Sequence, residues 1–266
     1  MSVFAAETAV RAETPGTFSG QLAATWNIGD NPNGGYMVCC ALRAMAATIE
    51  HPDPLSVTAH FLRPGIPDMP FQVQVEILRQ GRSMTTVRAQ LLQDGKVRLV
   101  VLAAWGDLAQ QAGIDAEYST EPPTLAVADD CLQRSESAQK IHLPILSRLD
   151  TRLDPACVEP ANNPAADVRG HIRFVDGTPP DALALALFCD AFPPSPLLRI
   201  GHQGWVPTLE LTVHIRRPPA PGWITACLRS DDLQAGRMVE SGQFWDSQGH
   251  LVAQSRQLGL VMHREE

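Results

Sequence analysis

Apolar and polar positions alternate cleanly from Phe71 to Ile77 (Phe-Gln-Val-Gln-Val-Glu-Ile), the period of a strand with one buried face. Asp94-Gly95 separates two apolar runs and predicts a tight hairpin; Gln248-Gly249 is its weaker counterpart late in the chain. Arg63-Pro64 and Arg217-Pro218-Pro219 are expected to end the strands before them, because proline cannot donate to a ladder. Two segments depart from this alternation. Tyr36 to Ile49 is apolar on nearly every face of a helix, with Arg43 its only charge. Asp181 to Phe192 is similar, with Asp190 the only charge in its interior. A helix that is hydrophobic all round must be surrounded by protein.

The pattern occurs twice. Val57-Thr-Ala-His60-Phe-Leu-Arg63-Pro64-Gly65 lies over Leu211-Thr-Val-His214-Ile-Arg-Arg217-Pro218-Pro219 at an offset of 154 (211 − 57), with Thr, His, Arg and Pro coinciding. Gly81-Arg82 matches Gly236-Arg237 at an offset of 155 (236 − 81). Each half therefore reads as one helix followed by several long strands. A sheet curling around that helix is the hotdog arrangement, so the expected fold is α+β. It is a double hotdog: two tandem antiparallel sheets, each wrapped around a long apolar helix. Two ordinary α+β domains with one core helix each are the alternative. The stretch 108–140 is rich in Asp, Glu, Ser and Pro without clear periodicity and reads as a connector between a first unit, 1–107, and a second, 141–266. A Pro/Asn-rich insertion, Asp154 to Asp167, interrupts the strands that lead into the second helix.

Charge and cysteine usage narrow the function. The 266 residues carry a net charge of −8 and no basic run longer than pairs such as Arg216-Arg217, which argues against nucleic acid as a partner. No apolar run approaches the ~18 residues of a membrane span, and the N-terminus lacks the basic and apolar regions of a signal peptide. Cys39, Cys40, Cys131, Cys157, Cys189 and Cys227 form no CxxC pair. They read as reduced thiols of a cytoplasmic protein, not as a disulfide framework or a zinc site.

There is no GxSxG elbow, HExxH, Walker loop or GxGxxG after a strand. His60 and His214 recur at one place in both halves, which points to a duty in the repeated fold. Asp190 stands out. A carboxylate in an apolar helix is costly unless hydrogen-bonded or used, and burial raises its pKa towards the range of a general base. The other reading is an exposed Asp at the helix end, just before Phe192-Pro193-Pro194. The repeat places Ala44 opposite Asp190, Pro54 opposite Thr208 and Ala104 opposite Gln257. A polar trio kept in one copy of a repeated fold suggests one surviving site.

Asp190-Ala-Phe-Pro-Pro, Thr208-Leu-Glu-Leu-Thr-Val-His-Ile-Arg-Arg-Pro and Leu251-Val-Ala-Gln-Ser-Arg-Gln257-Leu-Gly resemble the bacterial acyl-CoA thioesterase II family, a double hotdog. Asn33-Gly-Gly-Tyr36 and the strand ending His60-Phe-Leu-Arg-Pro64 are consistent with the same family, so the resemblance covers most of the chain outside the connector. It departs from better-known members around the first helix and in the Asp154–Asp167 insertion. The resemblance implies hydrolysis of acyl-CoA to free acid and CoA, by water that Asp190, Thr208 and Gln257 hold and activate. It implies acyl-CoA as substrate, no cofactor or metal, no membrane, and a homo-oligomer, a dimer or tetramer of double hotdogs. Gly34 and Gly35, opening the first helix, are candidate backbone donors to the thioester oxyanion, or equally a tight turn into the helix. Arg79, Arg82 and Arg237 are weaker candidates for the CoA phosphates. A hotdog hydratase or dehydratase would want a catalytic His beside the helix acid, and neither helix has one. A non-catalytic acyl-CoA binding protein would have no need of a water-activating carboxylate.

Overall fold

The computed structural model describes residues 1–110, 113–136, 140–158, 165–201 and 205–262; part of the Asp154–Asp167 insertion lies outside them. The chain opens with helix α1 (Val3–Glu7), strands β1 (Arg11–Thr14) and β2 (Thr17–Gln21), and the small hairpin β3 (Asn27–Ile28) and β4 (Asn31–Pro32). Helix α2 (Gly34–Ala46) follows, then the strands β5 (Asp53–Phe61), β6 (Pro70–Gln80), β7 (Thr85–Gln93) and β8 (Lys96–Gly106). Next come β9 (Leu132–Gln133), β10 (Leu149–Leu153), helix α3 (Pro155–Val158) and β11 (Asp167–Phe174). Helices α4 (Ala182–Phe188) and α5 (Ser195–Ile200) precede the last strands, β12 (Thr208–Ile215), β13 (Ile224–Gln234), β14 (Arg237–Trp245) and β15 (Leu251–Leu260). The stretch read as a connector is thus not wholly irregular, since β9 pairs with β10.

All strands but β3 and β4 join one antiparallel sheet, in the order β1-β2-β6-β7-β8-β5-β12-β15-β14-β13-β11-β10-β9. The order mirrors itself about the β5–β12 seam: β8, β7, β6 run outwards on one side and β15, β14, β13 on the other. At the seam Thr58 faces its repeat counterpart Thr212, their hydroxyls 3.1 Å apart, so the two copies meet at equivalent residues. His60 and His214 lie on the exposed face of these strands.

Helices α2 and α4 pack against each other on the inner face of the sheet. In α2 every residue from Gly35 to Leu42 is buried, as are Ala44 and Met45; in α4 all seven are. Leu183, Leu185, Leu187 and Phe188 each contribute about 2 kcal/mol of apolar burial. Asn33 caps α2 by accepting from the Tyr36 amide (2.9 Å), and Asp181 caps α4 from the Ala184 amide (2.8 Å) while pairing with Arg43 (3.2 Å).

Both helices are shorter than the apolar segments that predicted them. α2 stops at Ala46, where the Thr48 hydroxyl bonds back to the Ala44 carbonyl (2.8 Å). α4 stops at Phe188 instead of reaching Phe192: the Asp190 and Ala191 amides reach back only three residues, to Leu187 and Phe188. Pro193 and Pro194 bar the helical conformation to the residues just before them. Apolar composition continues past the helix because the turn is buried as well.

Candidate active site

The early end of α4 puts Asp190 in a tight turn whose position is set by its neighbours. Its backbone carbonyl accepts from the Asn33 carboxamide (2.8 Å), and the same Nδ2 reaches Oδ2 of the carboxylate (3.0 Å). Oδ2 also accepts the Gly35 amide (2.8 Å). The acid of the second half is therefore seated on the N-terminus of the first half's helix, where unpaired amides and the helix dipole favour negative charge. Gly35 makes the approach possible. A Cβ there would lie 2.8 Å from the Ala186 carbonyl oxygen and 2.9 Å from the Leu187 Cα.

The other oxygen, Oδ1, faces the sheet. Thr208 at the start of β12 donates to it at 3.4 Å and Gln257 of β15 at 3.5 Å; the Gln257 carboxamide also donates to the Thr208 hydroxyl. Thr208 pairs with Gly259 across the β12–β15 ladder, which places Gln257 two residues away on the same face. Asp190, Thr208 and Gln257 thus converge from three separate segments. Burial pushes the Asp190 carboxyl up to about 6, while the Gly35 amide, Thr208, Asn33 and the Gly34 amide pull it back.

The group opens onto a cavity of about 310 Å³. Apolar side chains dominate its wall, among them Ile28, Met37, Phe61, Phe192, Leu197 and Trp205. Gly34 lines it; Gly35 does not. The Gly35 amide is occupied by the Asp190 carboxylate, so it holds the acid and is not directed at a substrate carbonyl, a use different from the one expected.

Two further ionisable residues on the wall carry no motif that would have revealed them. Glu240 of β14, 3% exposed, accepts the Ser195 amide (2.7 Å) and sits beside Gln257 in the ladder; burial pushes its carboxyl up. Arg134 follows β9, is 5% exposed, and donates to the Ala191 carbonyl; burial brings its guanidinium down to about 10. Arg79, Arg82 and Arg237 are exposed and do not line the cavity.

The ladders also correct the pairing between halves. Leu211 faces Gln257 while Val57, its repeat partner, faces Ala103, so Gln257 corresponds to Ala103, one residue from the expected Ala104. Superposing the caps Asn33 and Asp181 sets Leu42, not Ala44, against Asp190. Both ladders carry the same bulge, at Pro54/Ser56 and at Thr208/Glu210, so the 154 offset holds through it and Gly259 lies over Trp105, not Gly106. The second shift arises because α2 is capped at Asn33, two residues before Gly35. No hydrogen-bonding side chain enters at Leu42, Pro54 or Ala103.

Among the described residues no helix is long and apolar enough to cross a membrane, and no cluster of three or more His, Cys, Asp and Glu side chains is placed to hold a metal.

Known proteins resemble the chain along nearly its whole length. Residues 22–106 match the acyl-CoA thioesterase N-terminal domain and 128–261 the acyl-CoA thioesterase C-terminal domain. A Thermobifida fusca protein assigned as a thioesterase II is 28% identical and superposes with a TM-score of 0.88 over 99% of this chain and 98% of that one. A hot dog fold protein of unknown function from Alicyclobacillus acidocaldarius gives 0.87 at 22% identity, covering 100% of both chains. An uncharacterised Mycobacterium tuberculosis protein is 26% identical over 92% of this chain and 90% of its own length. The fold is an α+β hotdog fold, and the chain belongs to the acyl-CoA thioesterase family.

Proposed function

We propose that the protein hydrolyses acyl-CoA thioesters to the free acid and CoA, at one site per chain built on Asp190, Thr208 and Gln257. Thr208 and Gln257 hold a water against the carboxylate, and Asp190 takes its proton as the oxygen attacks the thioester carbonyl. The C–S bond then breaks, and the proton on Asp190 passes to the departing CoA sulfur. The observation that carries this reading is the convergence of two hydrogen-bond donors, Thr208 and Gln257, on the Asp190 carboxylate, at the head of an apolar cavity sized for an acyl chain. A carboxyl near 6 is mostly ionised at neutral pH and yet basic enough to take a proton, which suits a general base.

Gly34 combines the oxyanion role with a hold on Asp190 in this reading: its amide faces that carboxylate, it lines the cavity without a side chain, and α2 directs its positive end there. Gly35 serves by seating Asp190. The mirrored strand order and the two matched family domains support two tandem hotdog units. We set their bounds at 1–107 and 141–266, joined by 108–140, the C-terminal match itself beginning at 128.

The test is thiol release from acyl-CoAs of graded chain length. Wild type should turn over at least part of the series, and Asp190→Asn should fold, bind and lose about 10²-fold or more in kcat. A folded Asp190→Asn protein within about threefold of wild type would sink the assignment of the base.

A further inference from the structure

We infer that Arg134 is a positioning residue for Asp190: it clamps the turn that carries the carboxylate and brings a buried positive charge to that turn. The inference rests on the reading of Asp190 as the base. The turn has two backbone carbonyls to secure once α4 has ended. Asn33 takes that of Asp190 from the first half, and Arg134 takes that of Ala191 from the opposite side. The Arg134 backbone is itself fixed, since its amide donates to the Thr151 carbonyl of β10 (2.9 Å). The clamp therefore links the segment between the halves to the edge of the site.

The electrostatic half follows from what faces the carboxylate. From α2 come the neutral donors Asn33, Gly34 and Gly35, and from β12 and β15 the neutral Thr208 and Gln257. From β14 comes Glu240, whose carboxyl is itself pushed up by burial, with the Asp190 charge adding to that. Cys189, the neighbour in sequence, has its thiol pushed well up by burial and stays neutral. Two arginines line the cavity. Arg63 is exposed and donates to the Val97 carbonyl (2.9 Å), whereas Arg134 is buried and the Asp190 charge helps to keep its guanidinium protonated. The guanidinium fork can hold a carbonyl while its charge acts on a second group.

The test compares Arg134→Met and Arg134→Gln, which lack the charge, with Arg134→Lys, which keeps it. Charge-free variants should lose about tenfold in kcat, and the acid limb of kcat/KM against pH should move up by about half a unit or more. Arg134→Lys should leave that limb in place even where lost bonding lowers kcat. The same displacement should appear, without any turnover, in a ¹³C NMR titration of the Asp190 carboxyl, its signal assigned with Asp190→Asn. If wild type cleaves no acyl-CoA, the thioesterase reading falls while this titration still decides the role of Arg134. An unmoved carboxyl titration in a folded charge-free variant overturns the inference. Failure of both charge-free variants to fold assigns Arg134 to the scaffold alone and overturns it too.

Discussion

Asp190 holds its proton more tightly in the folded chain than a free carboxyl does, because burial disfavours the charged form. Its contribution to stability is complete below the unfolded value of 3.8 and is lost as pH rises through about 6. Activity should run the opposite way, rising through the same window as the base ionises. Asp190→Asn, which cannot ionise, should therefore gain on wild type by about 2 kcal/mol in urea unfolding between pH 4.5 and 7.5. A pH-independent difference between the two proteins would show that the carboxyl is not strained by burial. Asp190 was legible in the sequence because a lone charge in an apolar run asks for an explanation. Thr208 and Gln257 were legible because the other half of the repeat lacks them. The work of Asn33 was not: it reads as an ordinary helix cap, which it also is, and nothing local shows that its amide nitrogen turns to a residue 157 positions away. Glu240 and Arg134 stand in a strand and in a stretch without periodicity, so only tertiary packing reveals them.

The contact between the start of α2 and the end of α4 leaves no room for a side chain at Gly35. Gly35→Ala would drive a methyl group into the backbone at Ala186 and Leu187, where no flexible side chain can give way. The helices must then separate, at a cost of about 1–3 kcal/mol, and the amide that holds Oδ2 moves with them. Chemical denaturation and thiol release on the same preparation should show loss of stability together with a disproportionate loss of kcat. A drop in stability at unchanged kcat would mean that the Gly35 amide is dispensable to the acid. Helix existence was plain from composition, but helix ends were not. Apart from Asp190, the stretch from Cys189 to Phe192 is apolar and buried like α4 itself, and burial of the turn, not continuation of the helix, is what that composition records.

Across the whole sheet, the repeat was readable because the seam strands keep Thr, His, Arg and Pro in step. The exact counterparts of the trio were not, because Gly106 and Gly259, the landmarks at the strand ends, stand one residue out of step in the two ladders. With Leu42, Pro54 and Ala103 at the matching places, a second water-activating site has no side chain to build on. Titration with a non-hydrolysable acyl-CoA analogue should saturate at one equivalent per chain; two equivalents would mean that the first half keeps a working pocket. The bond from Asn33 to Asp190 gives this asymmetry a historical consequence. A repeated unit that has lost its own chemistry would ordinarily be free to drift or be deleted. Under the proposed function, the first half, which lacks the trio, still supplies the carboxamide and the amide that hold Asp190. Neither copy can be discarded or replaced alone, so the two are bound to diverge under a shared constraint, as a lineage of one and no longer of two.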